Sequence, residues 1–335
     1  MNTSAVESRY YEVVNGRYRC LLCPNFCVIQ KGSRGRCGTR RAGPDILQAV
    51  NYGQVSSLNI DPMEKKPLYH YHPGEEVLSV GSLGCNLSCD HCQNHTISQT
   101  KIAERDTVFM EPEKLRDLCR SKGIRNLAFT YNEPTIWQEY VVDVLRGQDD
   151  LHGILVTNGY VNLPPLQELC EVIKGMNIDI KGFSYEFYRN TCHAALAPVL
   201  EAARFVYSRG IHLELTYLVI PGRNDDPDEI TQFCEWVTTE LGLNVPVHFT
   251  RFHPDYLMMD VPDTPLETLA AARDIAYGEG LEYVYIGNAP VHVDSHTYCP
   301  SCGEMIVNRR GYETKVLKMD DGHCQICGKR LDIIL

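Results

Sequence analysis

No stretch of this 335-residue chain reaches the roughly 18 consecutive apolar residues of a transmembrane span, and the start, Met1 to Val13, lacks the apolar core of a signal peptide. A cytoplasmic protein with no membrane partner is the expectation. Excess positive charge is missing too. Lys and Arg number 32 against 43 Asp and Glu, a net charge of −11, which repels phosphate backbones and anionic lipid, so nucleic acid is not an expected partner. The sequence has no low-complexity tract and no repeat of solenoid type, and its composition, 44% hydrophobic and 22% charged, excludes long disorder and a small disulfide scaffold. At roughly 150 residues per domain the length suits two domains, or one large α/β unit with appendages.

Cysteine is what the chain has in abundance, with 15. In a reducing compartment disulfides are not expected, so clustered cysteines point to metal. Eleven of the 15 cluster in three groups: Cys20, Cys23, Cys27 and Cys37; Cys85, Cys89 and Cys92; and Cys299, Cys302, Cys324 and Cys327. The other four, Cys119, Cys170, Cys192 and Cys234, read as small buried hydrophobes, with Cys192, beside His193, the least secure.

The region from Arg19 to Arg40 is crowded with Cys, Gly and basic residues and suits a small metal-tied module. From about Val77 to Pro290, short β-rich runs alternate with longer helical patterns, as parallel βα units do. The strands are expected at Glu76–Val80, Asn126–Thr130, Gly153–Thr157, Gly175–Ile180, His212–Ile220, Val245–Thr250 and Glu282–Ile286. The helices between them are expected at Pro112–Ser121, Trp137–Arg146, Pro165–Ile173, Ala194–Ser208, Pro227–Leu241 and Pro265–Glu279. Beyond Ser295 the pattern breaks into Cys, Gly and short strands. The domain reading is an N-terminal Cys-rich module and linker (1–75), an α/β core (76–292) and a C-terminal module (293–335).

Gly84 to Cys92 carries Cys-x3-Cys-x2-Cys on a loop directly after the first core strand. A [4Fe–4S] cluster normally takes four thiolates, so three leave one iron open to a small chelating ligand. The motif resembles that of radical S-adenosylmethionine (SAM) enzymes, with His91 where the family usually has an aromatic residue. The resemblance implies a partial (β/α)6-type TIM barrel, a [4Fe–4S] cluster held by Cys85, Cys89 and Cys92, and SAM on the open iron. It also implies a 5′-deoxyadenosyl radical that abstracts hydrogen, and a reduced flavodoxin or ferredoxin-type electron donor. In such a barrel the chemistry sits at the C-terminal strand ends, where Thr130–Thr135, Thr157–Tyr160, Asp179–Lys181 and Arg251–Pro254 fall. This layout resembles the pyruvate formate-lyase activating enzymes. By that resemblance Asn94, Asn132, Glu133 and Asn158 are expected at the SAM site, and Thr157 and Asp179 at SAM or a bound monovalent cation. Lys181 is expected to pair with the SAM carboxylate, and His253 to lie near the adenosyl end. No residue is singled out for the hydrogen transfer itself.

Two Cys-x2-Cys-Gly knuckles, Cys299–Gly303 and Cys324–Gly328, read as a zinc ribbon, a closed tetrathiolate site that would hold a short module together. A rubredoxin-like iron centre or an auxiliary cluster is the competing reading. Cys20, Cys23, Cys27 and Cys37 also offer four thiolates, for zinc or for a second iron–sulfur cluster. Together with Asp61–His70 and Tyr131–Thr135, these elements resemble the AmmeMemoRadiSam system radical SAM family over nearly the whole chain, which implies AMMECR1-type and Memo-type partners. The Asp61–His70 stretch reads either as a closure of the barrel mouth or as a solvated linker. The functional reading is a radical SAM oxidoreductase acting on a protein, peptide or other macromolecule. Its alternatives are activation of a glycyl-radical enzyme, modification of a small metabolite or, in a different class, a non-catalytic zinc-ribbon interaction protein.

Overall fold

The computed structural model describes residues 6–100 and 106–335; residues 1–5 of the Met1–Val13 stretch lie outside the described residues. Its centre is an eight-stranded sheet whose strands lie side by side in chain order. They are β1 (Ser57–Pro62), β2 (Glu76–Gly81), β3 (Asn126–Phe129), β4 (His152–Thr157), β5 (Ile173–Asp179), β6 (His212–Val219), β7 (Val247–Arg251) and β8 (Val284–Gly287). From β2 to β8 every pairing is parallel, whereas β1 runs antiparallel along β2. The seven parallel strands are largely buried on both faces; all four residues of β3 are buried, whereas the edge strand β1 is mostly exposed.

Each of the six parallel crossovers carries a helix: α1 (Pro112–Lys122), α2 (Gln138–Leu145), α3 (Leu163–Cys170), α4 (Ala197–Ser208), α5 (Pro227–Glu240) and α6 (Leu266–Gly278). Their ends follow local chemistry. Pro112 opens α1 and Gly123, at φ 67°, closes it. Asp226 caps α5 by accepting from Asp228 N and Glu229 N at 2.9 and 3.3 Å. The expected six βα units are present, with β8 following as a seventh parallel strand, and the sheet stays open with β1 and β8 as its edges.

Element ends differ from expectation by a few residues, in two places for a clear reason. The helix read over Pro165–Ile173 stops at Cys170 because Ile173 already pairs with Gly153 in the sheet. The helix read from Ala194 begins at Ala197, since His193 takes a left-handed backbone (φ 55°) that closes the preceding turns.

Two small modules flank the sheet. The N-terminal one is a three-stranded antiparallel sheet over Tyr11–Val14, Arg17–Cys20 and Val28–Ile29. Leu22, Ile29 and Leu47 share its core with Ile136 from the βα region, and a buried Arg40–Glu139 ion pair of 2.8 Å ties the two together. The C-terminal module pairs Thr297–Tyr298, Met305–Arg310 and Glu313–Val316 around Ile306, Val307 and Leu331. Its last residues return to the segment between β1 and β2, where Ile334 N donates to His70 O at 2.8 Å. That segment is no solvated linker, because Asp61, Glu64, Lys66 and His70 are all buried. Among the described residues no helix is long and apolar enough to cross a membrane.

Candidate active site

A cleft of about 510 Å³ opens at the C-terminal ends of the parallel strands. The three-cysteine loop enters it directly after β2, and a close approach of backbone fixes the loop's start. Gly84 has φ +90°, and a Cβ there would lie 2.3 Å from the Cys37 carbonyl oxygen, so only glycine fits against the N-terminal module. Cys85, Cys89 and Cys92 all line the cleft. The Cys85 sulfur lies 3.4 Å from Leu87 N and 3.6 Å from Asn158 Nδ2, and the Cys92 sulfur 3.0 Å from Ser98 Oγ. Burial pushes the Cys85 thiol well above its ordinary range. Three thiols on one loop, with N–H and O–H groups directed at two of them, form a donor set that could hold an iron–sulfur cluster with one open position.

His91 behaves as the aromatic residue it stands for. It is 3% exposed and stacks near Phe187 at a ring distance of 6.0 Å. Neither ring nitrogen has a hydrogen-bond partner among the described residues, and burial pushes the imidazole down to about 3, so it is neutral.

Behind the loop, Asn132 donates to Gly84 O at 2.9 Å and accepts from Ser82 N at 3.0 Å. The Glu133 carboxylate accepts from Thr135 N (3.0 Å), Thr135 Oγ1 (2.7 Å), Thr157 Oγ1 (2.6 Å) and Asn158 N (2.8 Å). Burial raises its pKa above the usual carboxylate value despite these donors. Asn158 in turn donates to Asn86 Oδ1 at 2.9 Å. Asn132, Glu133, Thr157 and Asn158 thus line the cleft but direct much of their hydrogen-bonding capacity at one another and at the cysteine loop. Three of the four donors to Glu133 reach Oε1 and one reaches Oε2, so the carboxylate lines the cleft with acceptor capacity left on Oε2.

Asp179 and Lys181 at the end of β5 also line the cleft and pair at 2.8 Å. Burial works to lower the Lys181 pKa, but the adjacent Asp179 carboxylate overrides it and holds the ammonium above its ordinary value. Asn94 lies on the rim and is exposed. His253 is the one expected residue left outside the cleft lining. The chain there buries its neighbour Phe252 and turns His253 to solvent.

One feature escaped sequence reasoning, and a second was left between two readings. The first is Cys192, whose thiol meets that of Cys89; Cys89, His91 and Cys192 bring their ligand atoms within 4.8 Å of one another. Its one sequence signal was His193, which pairs with Asp90 at 3.0 Å. The second is the wall built by residues 61–70. Asp61 holds Lys66 and Lys65 at 2.7 and 2.9 Å and accepts from Tyr131 Oη at 2.7 Å, while Glu64, Lys66 and Tyr69 line the cleft. At the far end of the chain, Cys299, Cys302, Cys324 and Cys327 bring their sulfurs within 4.8 Å of one another, with closest approaches of 3.6 and 3.7 Å. That is the spacing of a nest for one tetrahedral ion.

Residues 79–234 match the profile of the Radical SAM superfamily. An uncharacterized protein of Methanocaldococcus jannaschii is 42% identical over 334 residues, covering 98% of this chain and 99% of its own. The pyruvate formate-lyase 1-activating enzyme of Escherichia coli is 25% identical over 177 residues, covering 51% of this chain and 71% of that enzyme. This chain carries a radical SAM domain. The family implies a [4Fe–4S] cluster and SAM, and the chain is related to the pyruvate formate-lyase activating enzymes. Among solved structures, a radical SAM methyltransferase from Sphaerobacter thermophilus shares the fold, with a TM-score of 0.51 at 13% identity, over 70% of this chain and 71% of that one.

Proposed function

We propose that this protein cleaves SAM reductively and uses the resulting radical to abstract hydrogen from a protein, peptide or other macromolecule. The observation that carries the reading is the meeting, in one cleft, of three thiols from a single loop with the Asp179–Lys181 pair. In this reading Cys85, Cys89 and Cys92 hold the [4Fe–4S] cluster and Lys181 receives the SAM carboxylate. When bound, the cluster and SAM supply the electron and the 5′-deoxyadenosyl radical. Asn132, Glu133, Thr157 and Asn158 keep the loop and the strand ends in register, Asn94 borders the SAM site, and buried His91 keeps water from the loop. Support for a macromolecular substrate comes from the rim, where Leu257, 62% exposed, is held against the cysteine loop by its N–H to Asp90 O at 3.1 Å.

Relation to the activating enzymes favours a second reading, in which the product is a glycyl radical on a partner protein. Either reading calls for a low-potential donor of the flavodoxin or ferredoxin class. The C-terminal tetrathiolate is assigned structural zinc. The AmmeMemoRadiSam family, with AMMECR1-type and Memo-type partners, is our assignment for the whole chain, a cytoplasmic protein divided at 1–75, 76–292 and 293–335. The test is anaerobic incubation with dithionite and SAM. Wild-type protein should release 5′-deoxyadenosine, and Cys89→Ala should release none while keeping its far-ultraviolet circular dichroism. Undiminished cleavage by Cys89→Ala would sink the reading.

A further inference from the structure

We infer that Cys20, Cys23, Cys27 and Cys37 hold a second iron–sulfur cluster, lodged against the three-cysteine loop. The C-terminal tetrathiolate serves as an internal standard. A single tetrahedral ion with bonds of about 2.3 Å needs sulfur atoms about 3.8 Å apart, and that nest has them at 3.6 and 3.7 Å, all within 4.8 Å. In the N-terminal group no three thiols meet that limit. All four line one small cavity instead, with Leu22, Ile29 and Ile136 as its apolar wall. The cavity admits a water-sized sphere. A nest drawn in to zinc–sulfur bond length is too tight for one, whereas a cluster spreads its thiolates over several irons and keeps them further apart.

The surrounding donors agree. Arg36 N lies 3.4 Å from the Cys27 sulfur, Asn25 Nδ2 3.6 Å from that of Cys23, and Thr39 Oγ1 3.2 Å from that of Cys37. Hydrogen bonds to sulfur are among the groups that tune cluster potential. Arg40, 1% exposed, also lines the cavity, and its Nε has no partner among the described residues. A cluster presents inorganic sulfides as acceptors to such a group, and a closed zinc tetrathiolate presents only its four thiolates.

The location places this cluster beside the first. Asn25 Nδ2, next to the Cys23 sulfur, also donates to Asn86 O at 2.8 Å, and Cys37 O abuts Gly84. Asn86 and Gly84 flank Cys85 in the chain.

Two variants, each reconstituted anaerobically with iron and sulfide, test this. The triple variant Cys85→Ala, Cys89→Ala, Cys92→Ala removes the SAM-linked site. It should still bind iron and acid-labile sulfide, about four of each for a [4Fe–4S] cluster, with a cluster Mössbauer signature. The double variant Cys20→Ser, Cys27→Ser should lose about half the iron yet keep the spectral change that SAM causes at the remaining cluster. Zinc or a lone tetrathiolate iron at the N-terminal site of the triple variant would overturn the inference. Loss of the SAM-induced change in wild-type protein would instead strike the proposed function and leave this site standing.

Discussion

Lys181 is 18% exposed at its side chain, and among the described residues its ion-pair partner is Asp179, 2.8 Å away. Holding a lysine at the end of a buried strand costs desolvation energy, and that cost is tolerated only where an anion offsets it. Asp179 is one such anion, and in our reading the SAM carboxylate is a second. A charged hydrogen bond is worth roughly 1.5–3 kcal/mol, and about 1.4 kcal/mol is a factor of ten. Lys181→Ala should therefore weaken SAM binding about ten- to a hundredfold. Because the ammonium is no iron ligand, iron content and the reduced spectrum without SAM should match wild type. Titrating SAM into the reduced variant and following its spectrum measures the shift. If the variant binds SAM as wild type does, Lys181 serves Asp179 alone and the SAM site must be sought elsewhere in the cleft.

The C-terminal module tests what one element does for the rest. Arg309 NH2 donates to Tyr69 O at 2.6 Å with its guanidinium over the Tyr69 ring, Ile334 closes onto His70, and Tyr312 lines the cleft. If the four thiols bind zinc structurally, metal analysis should find zinc in protein prepared without iron. Cys324→Ser should then speed amide exchange across residues 293–335 and across 61–72, which those contacts brace, while β3 to β7 stay protected. Tight protection of residues 293–335 in that variant would show that the module's small apolar core suffices without metal.

The same module marks where sequence reading stops. The βα alternation was legible because the parallel strands are short, mostly apolar runs and α1, α3, α4 and α5 carry a proline in their first turn. The cysteine spacings announced three clusters for the same local reason. Residues 61–70 could be read either as a closure of the cleft mouth or as a solvated linker, since charge in a sequence looks the same solvated or buried. Only the pairing of Asp61 with Lys65 and Lys66, made once β1 joins the sheet, shows that they lie inside. Glu133 was legible as a charged residue at a strand end. That it accepts from Thr135, Thr157 and Asn158 depends on two strand ends meeting. His253 was placed by a motif position, and the turn after buried Phe252 leaves it exposed.

At the scale of the molecule, Glu214 joins the sheet to the segment that the C-terminal module braces. It is fully buried in β6, accepts from Tyr69 N and His70 N at 2.9 and 2.7 Å, and lies 2.9 and 2.6 Å from His212 Nε2 and His248 Nε2. Burial alone would raise its pKa, but the two imidazoles reverse this and hold the carboxyl well below its ordinary range. An unfolded glutamate takes up its proton near pH 4.3. Below that point the unfolded chain binds a proton the folded one refuses. The stability Glu214 contributes is therefore complete above about pH 4.3 and drains away as pH falls toward the folded value. Glu214→Gln removes one member of a buried charged network, a change that typically costs about 3–5 kcal/mol. Denaturant melts at neutral pH should show a loss of that order. As pH falls below about 4, wild-type stability should fall more steeply than that of the variant, so the two curves converge. Parallel curves across the acid range would mean that Glu214 titrates alike in the folded and unfolded chains, and that the 61–72 segment is held by its apolar contacts and Arg309 instead.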